Sequence, residues 1–140
     1  MEIIANAVQT VLANRNVYFT DDVVCGNASI AHRNDSGLIT LRGITNSQCR
    51  ARFMVTFGAN IAVPTDGTAG PISLAIALEG EPVPATTMIV TPAAVDQYFN
   101  VKSSVFIDVP RGCCATVSIT NTSDQPILVQ NANLIVERVA

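Results

Sequence analysis

Between residues 52 and 63 two sets of side chains alternate without interruption. Phe53, Val55, Phe57, Ala59, Ile61 and Val63 interleave with Arg52, Met54, Thr56, Gly58, Asn60 and Ala62. A period of two is that of a strand, whose successive side chains point to opposite faces. The pattern predicts a long strand with one core face and an opposite face that is small and mostly uncharged. It recurs down the chain. Ile72, Leu74, Ile76 and Leu78 alternate with Ser73, Ala75 and Ala77; Val101, Ser103, Val105, Ile107 and Val109 form a third strand; Ala115, Val117 and Ile119 alternate with Thr116, Ser118 and Thr120. No segment carries an apolar stripe of helical period beyond a turn or two.

The breaks between these runs are turn chemistry. Pro64 to Pro71 contains Asp66-Gly67 and Gly70-Pro71, Glu79-Gly80-Glu81 reads as a hairpin turn, and Pro110-Arg111-Gly112 and Asn121 to Pro126 close two further strands. Pro82 and Pro84 weaken strand character until Thr87 to Val90, and Thr91 to Tyr98 reads as a short helical turn capped by Thr91. Ile127 to Val129 and Leu134 to Val136 are one bent strand or two short ones. Asn16 to Thr20, Ala28 to His32 and Gly37 to Leu41 are shorter strand candidates. Eight to ten short strands separated by Gly, Pro and Asn clusters indicate an all-β, single-domain antiparallel sandwich, and 140 residues fit one domain.

Composition adds a constraint on what surrounds that domain. Apolar residues make up 49% of the chain and charged residues only 14%, against about 25% charged in an ordinary soluble domain. A monomer of this size has too little interior for that surplus, so part of it is expected against a partner. Membrane insertion is a poor alternative. The longest stretch free of charge, Pro82 to Val95, contains Pro82, Pro84 and Pro92, and a spanning helix needs about 20 apolar residues. The eight Lys and Arg residues are scattered and net charge is −3, which argues against nucleic acid. Met1 to Asn6 lacks the basic start of a secretory signal, so accumulation in the cytoplasm is expected, with release by assembly and lysis.

Chemistry is sparse. His32 is the only histidine and no nucleophile motif accompanies it, so it is expected to be a strand-end surface residue. Asp21-Asp22 and Glu79 with Glu81 are carboxylate pairs that read as solvated turns. The oxygen-rich turns lack the spacing of a calcium loop. No catalytic residue, cofactor or metal ligand is assigned. Cys25, Cys49, Cys113 and Cys114 do not form a metal framework. They are expected mainly as buried free thiols, with Cys113 and Cys114 on opposite faces of a strand; a Cys25–Cys49 disulfide is the main alternative.

From Ala51 onward the order of features resembles the tumour-necrosis-factor-like, complement-globular-head-like jelly roll in its bacterial and phage branch. Gly37-Leu38-Ile39-Thr40-Leu41 comes first, then Arg52 to Val63, a Gly-rich turn, Ile72 to Pro84, Val109 to Ser123 and finally Leu134 to Val139. Phage and prophage proteins of Firmicutes resemble it most. The resemblance implies residues 37–140 as the jelly-roll core, with residues 1–36, which have no counterpart, as strands or an arm packed on the same domain. It also implies a tight homotrimer with a small-residue sheet face turned inward, for which Met54, Thr56, Ser73, Ala75, Ala77 and Ile135 are the expected interface residues. The outer side of Ser73, Ala75 and Ala77 fits cover by the chain itself equally well. The function that follows is a structural component at a bacteriophage virion surface: capsid decoration, head fibre, or tip of a fibre or baseplate. Its partners would be itself, other virion proteins and a host-surface glycan or protein. The alternative is a secreted or spore-surface trimeric module that binds glycan or protein.

Overall fold

In the computed structural model, which describes residues 1–140, the chain folds into two antiparallel six-stranded sheets packed face to face. In chain order the strands are β1 (Glu2–Ala5), β2 (Gln9–Val11), β3 (Asp21–Val24), β4 (Ile30–His32), β5 (Ile39–Arg42), β6 (Arg50–Ala62), β7 (Ile72–Leu78), β8 (Glu81–Pro82), β9 (Met88–Val90), β10 (Phe99–Pro110), β11 (Cys114–Asn121) and β12 (Ile127–Arg138). The first sheet runs β10-β6-β12-β1-β3, with β2 also on β12; the second runs β4-β5-β11-β7-β8, with β9 also on β7. The long pairings, β6 with β10 and β12, β1 with β12 and β11 with β5 and β7, join strands distant in sequence, as a jelly roll requires.

The alternation in the sequence is met side chain by side chain. Phe53, Val55, Phe57, Ala59 and Ile61 of β6 all lie in one 29-residue core cluster, facing Ile72, Leu74 and Ile76 of β7 and Val117 and Ile119 of β11 in the same cluster. Burying a side chain of this size stabilises by roughly 1.5–3 kcal/mol, so the long strands alone fix which face points inward. Two special backbone sites support them. Glu79 and Gly80 both take positive φ, 54° and 82°, giving the two-residue turn whose twist suits a hairpin. At Gly43 a Cβ would stand 2.1 Å from the Pro110 carbonyl oxygen, so only glycine allows that approach.

One open choice closes and two expectations change in detail. Residues 127–138 form one strand, β12, whose pairing with β6 slips between Gln130 and Asn133, as a bulge does. Thr91 to Tyr98 forms no helical turn; the 3-10 turn lies at Pro84–Thr86. There the Thr86 hydroxyl accepts from the Ile76 N–H at 3.0 Å, occupying the gap between β8 and β9 along β7. Asn16 to Thr20 is not a strand but touches the sheets through two single bridges, Asn16 with Thr120 and Phe19 with Ser36. Residues 1–36 supply β1 to β4, and Ile3, Val17, Phe19 and Ile30 belong to the core cluster. The hydrophobic core is therefore not confined to residues after 37.

Candidate functional site

The only histidine is not at the surface. The His32 side chain is fully buried; its Nδ1 lies 2.7 Å from Asp22 Oδ1 and its Nε2 lies 2.9 Å from the Ser36 carbonyl oxygen. Phe19 meets the imidazole edge-on, with ring centroids 6.3 Å apart. The Ser36 carbonyl can only accept, so Nε2 is the nitrogen that donates to it. Asp22 is on β3 of the first sheet and His32 on β4 of the second. The pair clasps the two sheets along one edge, a use that the separation of ten residues did not reveal. No nucleophile hydroxyl or thiol approaches it within hydrogen-bond distance.

The cysteines also depart from expectation. Cys25, Cys49, Cys113 and Cys114 are all free and all exposed. The parity argument for Cys113 and Cys114 fails because they sit at the start of β11, beside the turn, where Cys113 takes its backbone bonds from Pro110 and Gly43 and neither face of the strand is roofed by the other sheet.

The six residues expected at an interface fall on two different sheets. Ala75 and Ala77 have 0% of their surface free within a single chain, and Ser73 is half-buried with its hydroxyl on that of Thr122. Their neighbours on the same face, Ser118 and Thr120, are buried too. Ala75 and Ala77 thus have no area left to give a partner, which corrects the expectation for that strand. Met54, Thr56 and Ile135 lie together on the outward face of the first sheet. Thr56 pairs with Ile135 across β6 and β12 and with Ser104 across β6 and β10, while Met54 pairs with Phe106 and Glu137.

Phe106 is the residue that sequence reasoning missed. It is 61% exposed and Ile135, across β6 from it, is 39% exposed, leaving Phe106, Met54 and Ile135 as an apolar patch flanked by Arg52, Thr56, Ser104 and Asp108. The signal is in the sequence: Val105 and Ile107 belong to one alternating set, so Phe106 between them falls on the opposite face. Around the cluster, Arg52 donates from Nε and Nη2 to both Asp108 oxygens at 2.8 and 3.1 Å, and Arg50 Nε lies 3.1 Å from Asp108. These hydrogen bonds from Arg52 hold the Asp108 carboxyl below its ordinary range, and the same contact raises Arg52. Beside the sheet, where β12 and β1 run past β3, lies a groove of about 470 Å³. Met1, Glu2, Val24, Cys25, Ile135 and Glu137 are among the residues lining it.

No protein-family model and no curated protein sequence matches the chain. Solved structures do share the fold. The globular domain of zebrafish complement 1qA overlays with a TM-score of 0.63 at 14% identity, covering 96% of this chain and 93% of that one. Murine APRIL overlays at 0.59 and 8% identity, covering 95% of each chain. A family 35 carbohydrate-binding module from Cellvibrio japonicus overlays less well, at 0.39 and 9% identity. At these identities the likeness is one of fold alone: the chain is an all-β jelly roll similar to these domains, and the match spans its N-terminal strands as well as the rest.

Proposed function

We propose that this protein is a non-enzymatic structural module that assembles as a homotrimer through the outer face of its first sheet, on the surface of a bacteriophage virion. The observation that carries the assembly is the Phe106, Met54 and Ile135 cluster, exposed on a sheet whose other face is a closed core. Aromatic and aliphatic anchors surrounded by polar groups are what interface centres are made of. The jelly roll supports the same reading, since its rigid sheets leave the loops Thr65 to Gly70 and Ala85 to Gln97 free to contact other virion proteins or a host-surface glycan or protein.

The virion setting rests on the sequence resemblance to phage and prophage proteins. Electron microscopy of the parent particle tests it: density for three copies of this jelly roll on the capsid, fibre or baseplate is the expected result. Particles complete without the protein, with its gene set among sporulation or secretion genes, would replace this reading with that of a secreted or spore-surface binding module.

A further inference from the structure

The outward face of the first sheet is divided by charge. On β10 and β6 it carries Lys102, Arg50 and Arg52 with one carboxylate, Asp108; on β12, β1 and β3 it carries Glu137, Glu2 and Asp21 with no cation. The other basic group on β12, Arg138, pairs with Phe53 on the inner side and donates to Ser29 and Ile44 of the opposite sheet's side of the molecule. The Met1 ammonium is tied to the Val136 carbonyl. Shape divides along the same line. The cationic half bears the protruding Phe106, and the acidic half borders the groove, whose lining includes Met1, Val24, Cys25 and Ile135 with the carboxylates Glu2 and Glu137 and a single charged side chain of opposite sign, Arg138, which is engaged by Ser29 and Ile44.

The two features are also level with one another. Phe106 pairs with Met54, and Met54 pairs with Glu137 at the groove. Rotation about an axis running along the strands keeps heights unchanged, so a projection on one copy meets a recess on the next only if both lie at the same height. They do.

We infer that a second copy of this chain docks head to tail, its Phe106 seated in the groove beside β12, β1 and β3, with the Lys102, Arg50 and Arg52 half of one copy against the Glu2, Glu137 and Asp21 half of the next. This rests on the self-assembly proposed above and assigns the two sides of that contact. Opposite potentials across the joint favour this register over contact between like halves, and the buried aromatic supplies the anchor.

Cys25 in the groove provides the test. In a chain with Cys49, Cys113 and Cys114 replaced by serine, Phe106→Cys under mild oxidation gives covalent oligomers on a non-reducing gel, and adding Cys25→Ser abolishes them. Cross-links that persist without Cys25 would mean that Phe106 meets Phe106, and overturn the docking. So would the absence of any cross-link in a variant that native mass spectrometry shows to be assembled. Should the cysteine weaken assembly, a charge swap decides with Phe106 intact. Arg50→Glu with Lys102→Glu lowers the association constant by about tenfold or more, and adding Glu2→Lys with Glu137→Lys restores it to within about threefold; failure to restore it in a folded protein overturns the inference. An unmodified chain that never assembles sinks the proposed function itself, whereas an assembled chain indifferent to these changes sinks only the docking.

Discussion

The central strands of the second sheet, β7 and β11, turn Ala75, Ala77, Ser118 and Thr120 outward, and a single chain already buries all four; only toward β9, where Ile89 pairs with Ser73 and is 65% exposed, does that face open. The outer face of the first sheet carries Phe106, Met54 and Ile135, and a single chain leaves Phe106 and Ile135 largely uncovered. Both faces read as apolar or small in the sequence, yet only the first sheet has apolar area to give at its centre. Small side chains on a strand show that something packs closely there; they do not say whether that something is a partner or the chain itself. A large apolar side chain at an outward position is the better pointer to a partner, because the fold has no further use for it.

Substitutions on the two faces sharpen this contrast. The largest effect is expected from Ile135→Asp combined with Met54→Asp, which places carboxylates in the centre of the proposed interface. Assembly weakens by about 2–4 kcal/mol per contact, read by sedimentation equilibrium, while the circular dichroism of the protomer is unchanged. On the other sheet, Ala77→Leu has the opposite profile. It overfills a closed site and lowers the unfolding free energy by about 1–3 kcal/mol in urea titration, with no added loss of association among folded chains. Equal effects of both changes on assembly would erase the distinction between the faces.

The clasp between the sheets comes next. His32→Ala leaves Asp22 and the Ser36 carbonyl without their partner and is expected to cost about 1–3 kcal/mol, read as a lower denaturation midpoint. A variant as stable as the parent would show that the edge holds without it.

Smaller effects are expected around Asp108. Its folded carboxyl is held below the unfolded value by the hydrogen bonds from Arg52, so its contribution is present at neutral pH and is lost as pH falls through the folded value. The difference in melting temperature between the parent and Asp108→Asn should therefore shrink below about pH 4, and because the pair is at the surface it is small throughout. Least of all, serine at Cys49, Cys113 and Cys114 changes stability by no more than about 0.5 kcal/mol, and all four thiols of the folded parent react promptly with a thiol reagent, as exposed free cysteines do.

The legible parts of the molecule were those with enough residues to show a period. β6, β7, β10 and β11 lie within a residue or two of the alternating runs, and the turn at Glu79-Gly80 was readable from glycine chemistry. β1 to β3 were not, because three or four residues give at most two alternations. β3 also pairs with β1 through a register shift that leaves Val23 and Val24 both exposed. Contacts between sheets were out of reach for a different reason. The burial of His32 depends on Asp22 arriving from the other sheet, and no local pattern encodes that meeting. Phe106 was legible and overlooked: its neighbours Val105 and Ile107 belong to one alternating set, and parity alone places it on the opposite face. For Ala75 and Ala77 parity gave the right face, while what covers that face depends on the fold as a whole.

Native mass spectrometry of the unmodified chain across a dilution series from micromolar concentration tests the claim that the open face is closed by other copies. The account predicts a species at three times the 14.8 kDa chain mass, persisting until dilution dissociates it directly to single chains. A spectrum holding only single chains at every concentration would contradict it.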